Sequence, residues 1–221
     1  MSSPGPYDSG QNSYYNVGSL AGWPAEKSES YLREYNNYIL QILSIHEAIP
    51  GHYVQLVYAN KSPSMIKSLF GSGAMVEGWA VYGEQMMLDA GFGDNAPEMW
   101  LMWYKWNLRS VCNTILDYSV HCQNMPRQQA LTLLTREAFQ QQAEAEGKWK
   151  RVSVTSVQLD SYFTGYKEIM DLREQYKTKQ GEQYKLKEFN EKFLSYGNAP
   201  VKLIKDAMLA KEQSANKDQK H

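Results

Sequence analysis

The chain has 221 residues, 43% of them hydrophobic, which is enough for one sizeable core or at most two small ones. A net charge of -1 gives no electrostatic reason to expect nucleic acid or an anionic membrane surface as partner. No apolar run reaches the roughly 18 residues that a membrane-spanning helix needs.

Residues 1–24 are rich in Gly, Ser, Pro, Asn and Tyr and read as an extended arm. Met1 to Pro6 lack the charged and apolar segments of a signal peptide. Within the arm, Ser13 to Val17 allow at most one short strand, or an ordered arm packing on the helices. From Ala25 the pattern turns helical, and Tyr31, Tyr35, Ile39, Ile42 and Ile45 recur at threes and fours up to His46. Ser62-Pro63 caps a short helix through Leu69, Gly71-Ser72-Gly73 breaks it, and a helix from about Ala74 to Asp89 carries Glu77 and Glu84. Gly91 and Gly93 end that helix. Pro97 opens a long one reaching about Gln123, with Trp100, Trp103, Tyr104, Leu108, Val111, Ile115 and Tyr118 as its apolar stripe. Cys112 and Cys122 lie ten residues apart on it, about 15 Å along the axis, too far to pair.

A further helix from Pro126 to Glu146 ends at Gly147, with Gln140, Gln141 and Gln142 on a solvated face. A turn follows from Lys148 to Val152, then helical residues around Val157 and Leu159 and a helix carrying Arg173, whose guanidinium could pair with a substrate carboxylate or a structural one. Helices over about Glu182 to Tyr196 and Pro200 to Ala210 close the fold, and residues 211–221 are polar enough to fray. These elements predict an all-α fold, a single domain of about eight helices over residues 25–210 with at most one short N-terminal strand.

Two of the four histidines fall in His46-Glu47-Ala48-Ile49-Pro50-Gly51-His52. Imidazole nitrogens hold zinc, and a carboxylate beside the first ligand can take a proton from water while the metal lowers its pKa. His46 and His52 are therefore candidate ligands and Glu47 the candidate general base. Six residues apart on a regular helix, the two histidines would stand roughly 120° out of line. Pro50 and Gly51 predict a kink or bulge between Ile49 and His52 that turns His52 back. A regular helix there would rule the site out.

HEAIPGH followed by Glu77-Gly78-Trp79-Ala80-Val81-Tyr82 resembles the bacterial domain-of-unknown-function 885 family, placed among gluzincin-type zinc metallopeptidases. The likeness extends to Ser30 through Asn36, Leu108-Arg109, Asp117 with His121, Ser161-Tyr162 with Gly165, Leu172-Arg173 and Gly197 through Pro200. The resemblance implies His46, His52 and Glu77 as metal ligands, Zn2+ as cofactor and Glu47 as catalytic base. Many members carry a further histidine directly after the motif; Tyr53 stands there, leaving His52 as the second ligand. Family members are much longer on the N-terminal side, so the chain resembles a C-terminal catalytic portion, with an N-terminal portion of the same protein as an implied partner. The same resemblance implies a periplasmic or exported setting, places Tyr162 near the metal as an oxyanion donor ahead of Tyr166, and raises His121 as a second stabiliser of the intermediate or a substrate-positioning group. Glu84, two turns from Glu77 on the same face, is either a group that orients a ligand histidine or a solvated surface carboxylate.

The expected function is hydrolysis of a peptide substrate by zinc-activated water, without a covalent intermediate. Two other readings stand beside it: zinc-dependent hydrolysis of a non-peptide amide or ester, and a non-catalytic helical binding module with a vestigial or structural site.

Overall fold

The computed structural model describes residues 4–5, 8 and 10–210. The stretch 211–221, expected to fray, lies outside the described residues. Among these the fold is all-α, with eleven α-helices: α1 (Ala25–Glu34), α2 (Asn37–Glu47), α3 (His52–Asn60), α4 (Met65–Leu69), α5 (Gly73–Asp89), α6 (Pro97–Gln123), α7 (Arg127–Thr132), α8 (Gln142–Val154), α9 (Ser161–Gln180), α10 (Leu186–Ser195) and α11 (Val201–Leu209). No described residue lies in a strand; Tyr14 takes part only in an isolated bridge, so the strand expected over 13–17 does not form.

The helix count exceeds the expected eight because three predicted runs are broken by local signals. The run from Ala25 to His46 divides at Asn36, whose side-chain oxygen accepts from the backbone of Tyr38 and Ile39, 3.1 Å each, and caps α2. Ile39, Ile42 and Ile45 then pack with Leu88, Met99 and Trp103 in one core cluster. The second break lies inside the histidine motif. The third falls in 126–146, where a π-helical turn at Leu133–Glu137 and a left-handed Phe139 (φ 53°) stop the run. In consequence α8 begins at Gln142, Gly147 sits in mid-helix rather than at an end, and Gln140 is buried rather than solvated. Ser64, not Ser62, caps α4.

α6 is also rotated relative to its expected stripe. Trp103 is buried, but Tyr104, Leu108, Ile115 and Tyr118 are exposed, and Trp106, Ser110, Asn113 and Asp117 face inward. Of these, Trp106 donates to Glu84 and Asp117 accepts from the loop before α9, while Met99, Trp103, Cys112 and Leu116 supply the apolar part of the same inward face.

α5 and α9 form the most extensive helix pair. Their backbones meet at Gly78 and Gly165: a Cβ on Gly78 would stand 2.3 Å from the Gly165 carbonyl carbon, and one on Gly165 would stand 1.9 Å from the Ala74 oxygen. Only hydrogen fits at either position, so this crossing fixes how near Glu77 on α5 comes to Tyr162 on α9. Beside it, Trp79, Tyr82, Phe189 and Phe193 fill the core that α5 and α9 share with α10 and α11.

Gly165→Ala should therefore destabilise the protein by about 3 kcal/mol, at the upper end of overpacking costs. Gly147→Ala, in open space at an exposed position of α8, should stabilise it by about 0.5–1 kcal/mol. Equilibrium unfolding of both variants checks the pair, and equal effects would contradict the crossing.

Candidate metal centre

The histidine motif is built by a chain reversal. α2 ends at Glu47, the Ala48 amide still donates to the Ser44 carbonyl at 2.9 Å, and the Gly51 amide donates to the Ile45 carbonyl at 3.0 Å. The Ile49–Pro50 peptide is cis, and α3 starts at His52. A Cβ at Gly51 would stand 1.8 Å from the His46 carbonyl oxygen, so the reversal admits glycine alone. The Trp79 indole donates to the Pro50 carbonyl at 2.9 Å and fastens the turn to α5. The predicted break between Ile49 and His52 is thus present, and it brings the two imidazoles to 4.8 Å between ring centroids, at 90° to each other.

Glu77 comes from the second turn of α5. Its Oε2 lies 3.7 Å from His46 Nε2 and 3.4 Å from His52 Nε2, and the three ligand atoms all fall within 4.8 Å of one another. A tetrahedral zinc with bonds of 2.0–2.1 Å has ligand-to-ligand edges of about 3.3 Å, so two observed edges are close to that size. Glu77 Oε2 is buried without a hydrogen-bond donor, a cost that a cation between the three residues would remove. The donor set of two imidazoles and one carboxylate fits zinc.

Burial opposes ionisation of Glu77, but the two histidines outweigh it and hold the carboxyl well below its usual range. Burial likewise opposes the charged form of His46, and the neighbouring carboxylates of Glu77 and Glu84 overcome it, raising its pKa to about 10. The place attracts positive charge, which a proton or a metal can supply. His46 Nδ1 lies 2.7 Å from Glu84 Oε1, which also accepts from the Trp106 indole at 3.2 Å. Glu84 is fully buried rather than solvated, and burial raises its pKa despite the histidine. It orients the ring so that Nε2 faces Glu77.

Glu47 and Tyr162 line a cleft of ≈ 270 Å³ beside His46. The Tyr162 ring stacks on His46 with centroids 6.3 Å apart. Its oxygen accepts from Arg151 at 3.1 Å and from the Gln158 amide at 3.4 Å, which leaves the hydroxyl proton available to donate. Burial, then the Glu77 charge, pushes the phenol pKa up, keeping that proton in place. Gln158 also donates to Glu77 Oε1 at 3.3 Å and so ties the tyrosine to the Glu77 carboxylate.

Two other candidates lie elsewhere. His121 bonds the Thr155 carbonyl at 2.8 Å and sits 3.6 Å from Asp117, and it neither joins the ligand cluster nor lines the cleft. Its place is at the loop before α9, which corrects the oxyanion role. Arg173 packs over the Tyr82 ring, its Nε lies 4.0 Å from Glu174 Oε1, and it does not line the cleft. The sequence pattern carried no signal for Gln158, Arg151 or Lys148, because their segments read as turn or loosely helical. Asp117 acts indirectly: its carboxylate accepts from the amides of Val157 and Leu159 at 3.0 Å and of Asp160 at 3.3 Å, holding the loop that presents Gln158 and Tyr162. Asp117→Ala would leave these amides without their acceptor and should cost about 3 kcal/mol in chemical unfolding, with Asp117→Asn costing less. A change under about 0.5 kcal/mol for the alanine variant, the scale of an ordinary surface substitution, would contradict that role.

The chain is similar to two solved structures. One, from Shewanella oneidensis, is described as a "putative lipoprotein of unknown function"; it is 64% identical with TM-score 0.87, over 95% of this chain and 38% of that one. The other, a "putative lipoprotein" from Colwellia psychrerythraea, is 25% identical with TM-score 0.76, over 80% of this chain and 30% of that one. This chain thus spans well under half the length of either relative. No curated protein matches it. The family model described as bacterial protein of unknown function (DUF885) matches residues 1–208, and the chain belongs to that family.

Proposed function

We propose that this chain is the metal-binding catalytic portion of a zinc-dependent peptidase. The observation that carries the reading is the convergence of His46, His52 and Glu77 beside a cleft lined by Glu47. Among the described residues no fourth His, Cys, Asp or Glu joins the three, which suits a catalytic site with a position left for water better than a closed structural one.

His46, His52 and Glu77 would hold the zinc, which would supply a lowered pKa for a bound water and a Lewis acid for the scissile carbonyl. Glu47 takes the proton from the attacking water and delivers it to the leaving amine. Tyr162 donates its phenol proton to the oxygen of the scissile carbonyl, more strongly as negative charge builds there. Glu84 holds the His46 ring, and Gln158 holds Glu77 against Tyr162. An exported setting belongs to the same proposal and is supported by the descriptions of the two structural relatives. No helix among the described residues is long and apolar enough to cross a membrane.

Elemental analysis of the purified chain should find close to one zinc per molecule, lost in His52→Ala and Glu77→Ala. A parent that binds no zinc even in excess would overturn the reading. Glu47→Gln and Tyr162→Phe should retain the metal, and each should lower kcat on a peptide library by about 100-fold or more. Undiminished turnover in either variant would remove that residue from the mechanism.

A further inference from the structure

The cleft contains a cation that the hydrolytic steps do not use. Lys148, on α8, is 3% exposed and lines the same cavity as Glu47 and Tyr162. Among the described residues no carboxylate comes within salt-bridge distance of its ammonium. Arg109 beside it is already matched, by an ion pair with Glu144 and a hydrogen bond to the Tyr35 hydroxyl. Arg151, half-buried on the wall nearer Tyr162, contacts only the neutral oxygens of Gln158 and Tyr162. Two cations, Lys148 and Arg151, therefore face the cavity without a carboxylate of their own. A buried, unpaired ammonium is costly and persists where something compensates it. Burial, then the charge of Arg109, drives the Lys148 pKa well below its usual value against the opposing pull of Glu144 and Glu77, and an entering carboxylate would favour the protonated amine.

We propose that Lys148 and Arg151 form a subsite for a carboxylate of the peptide substrate, placed next to the scissile bond. A cavity of ≈ 270 Å³ falls just below the roughly 300–1,000 Å³ of pockets that take drug-sized ligands, so it holds a residue or two rather than a long segment. The carboxylate therefore belongs to a residue adjoining the bond that is cut, and the chain terminus satisfies this directly. The enzyme then removes residues from the carboxyl end of short peptides. An acidic side chain offers the same chemistry from a second source. The inference rests on the peptidase reading but makes a claim about binding that needs no turnover.

The test is calorimetric binding to the zinc-loaded chain of blocked dipeptides in matched pairs: C-terminal acid against C-terminal amide, and glutamate against glutamine at the last position. The acid should bind at least about 30-fold more tightly than its amide, the scale of a buried charge pair. A preference that follows the side-chain carboxylate instead would assign the subsite to acidic residues and overturn the carboxyl-terminal assignment. Lys148→Met should abolish the discrimination by weakening the acid alone, with zinc content unchanged. Equal binding of all four peptides to the parent would overturn the proposal, as would an equal loss for acid and amide in the variant. The acid-amide comparison on the parent stands even if the variant does not fold. Loss of hydrolysis with discrimination intact would count against the peptidase reading and leave the subsite standing.

Discussion

The site depends on one steric constraint, the absence of a side chain at Gly51. The chain leaves α2 at Glu47, reverses, and re-enters helix at His52, passing so near the His46 carbonyl that a Cβ would overlap it. A regular helix would have pointed the imidazoles apart. The reversal lets two residues six apart in sequence share a target, while the hydrogen bond from Trp79 to Pro50 fixes the turn against the helix that supplies Glu77.

A second close approach does the corresponding work for the carboxylate and the tyrosine. Gly78 and Gly165 let α5 and α9 pack backbone to backbone, and this pairing puts Glu77, Gln158 and Tyr162 in one hydrogen-bonded row. Glycine is unfavourable in helix interiors, so its presence at both crossing points reflects packing rather than propensity. Behind the row, Asp117 gathers the amides of the loop before α9, and Glu84 holds His46 from a fully buried position. Polar groups buried in this way are costly unless satisfied, and where satisfied they fix a single arrangement.

Much of this was legible in the sequence because the signals were local. Proline followed by glycine between two histidines announced the reversal, and proline and glycine punctuation placed the ends of α5 and α6 within a residue or two. Less legible were the features set by tertiary contact. Of the apolar stripe expected on α6, Tyr104, Leu108, Ile115 and Tyr118 face outward while Trp106, Ser110 and Asn113 line the cleft, an inversion that periodicity of apolar residues cannot register. Asn36 stands inside a helical pattern, and its capping role shows only once the chain has turned. In sequence Gly147 has the look of a helix end, which puts Lys148 in a turn; the π-helical turn and the left-handed Phe139 shift α8 and carry the lysine into the cleft. His121 bonds the Thr155 carbonyl beside Asp117, at the loop it steadies rather than beside His46, His52 and Glu77.

The central claim is that His46, His52 and Glu77 hold one metal ion. Anomalous diffraction from a zinc-soaked crystal, recorded above and below the zinc absorption edge, tests it most directly. The account predicts a single strong zinc peak about 2.0–2.2 Å from His46 Nε2, His52 Nε2 and a Glu77 oxygen, with a fourth position open toward the Glu47 cleft. A strong peak elsewhere, with His46, His52 and Glu77 in contact only with one another, would contradict it.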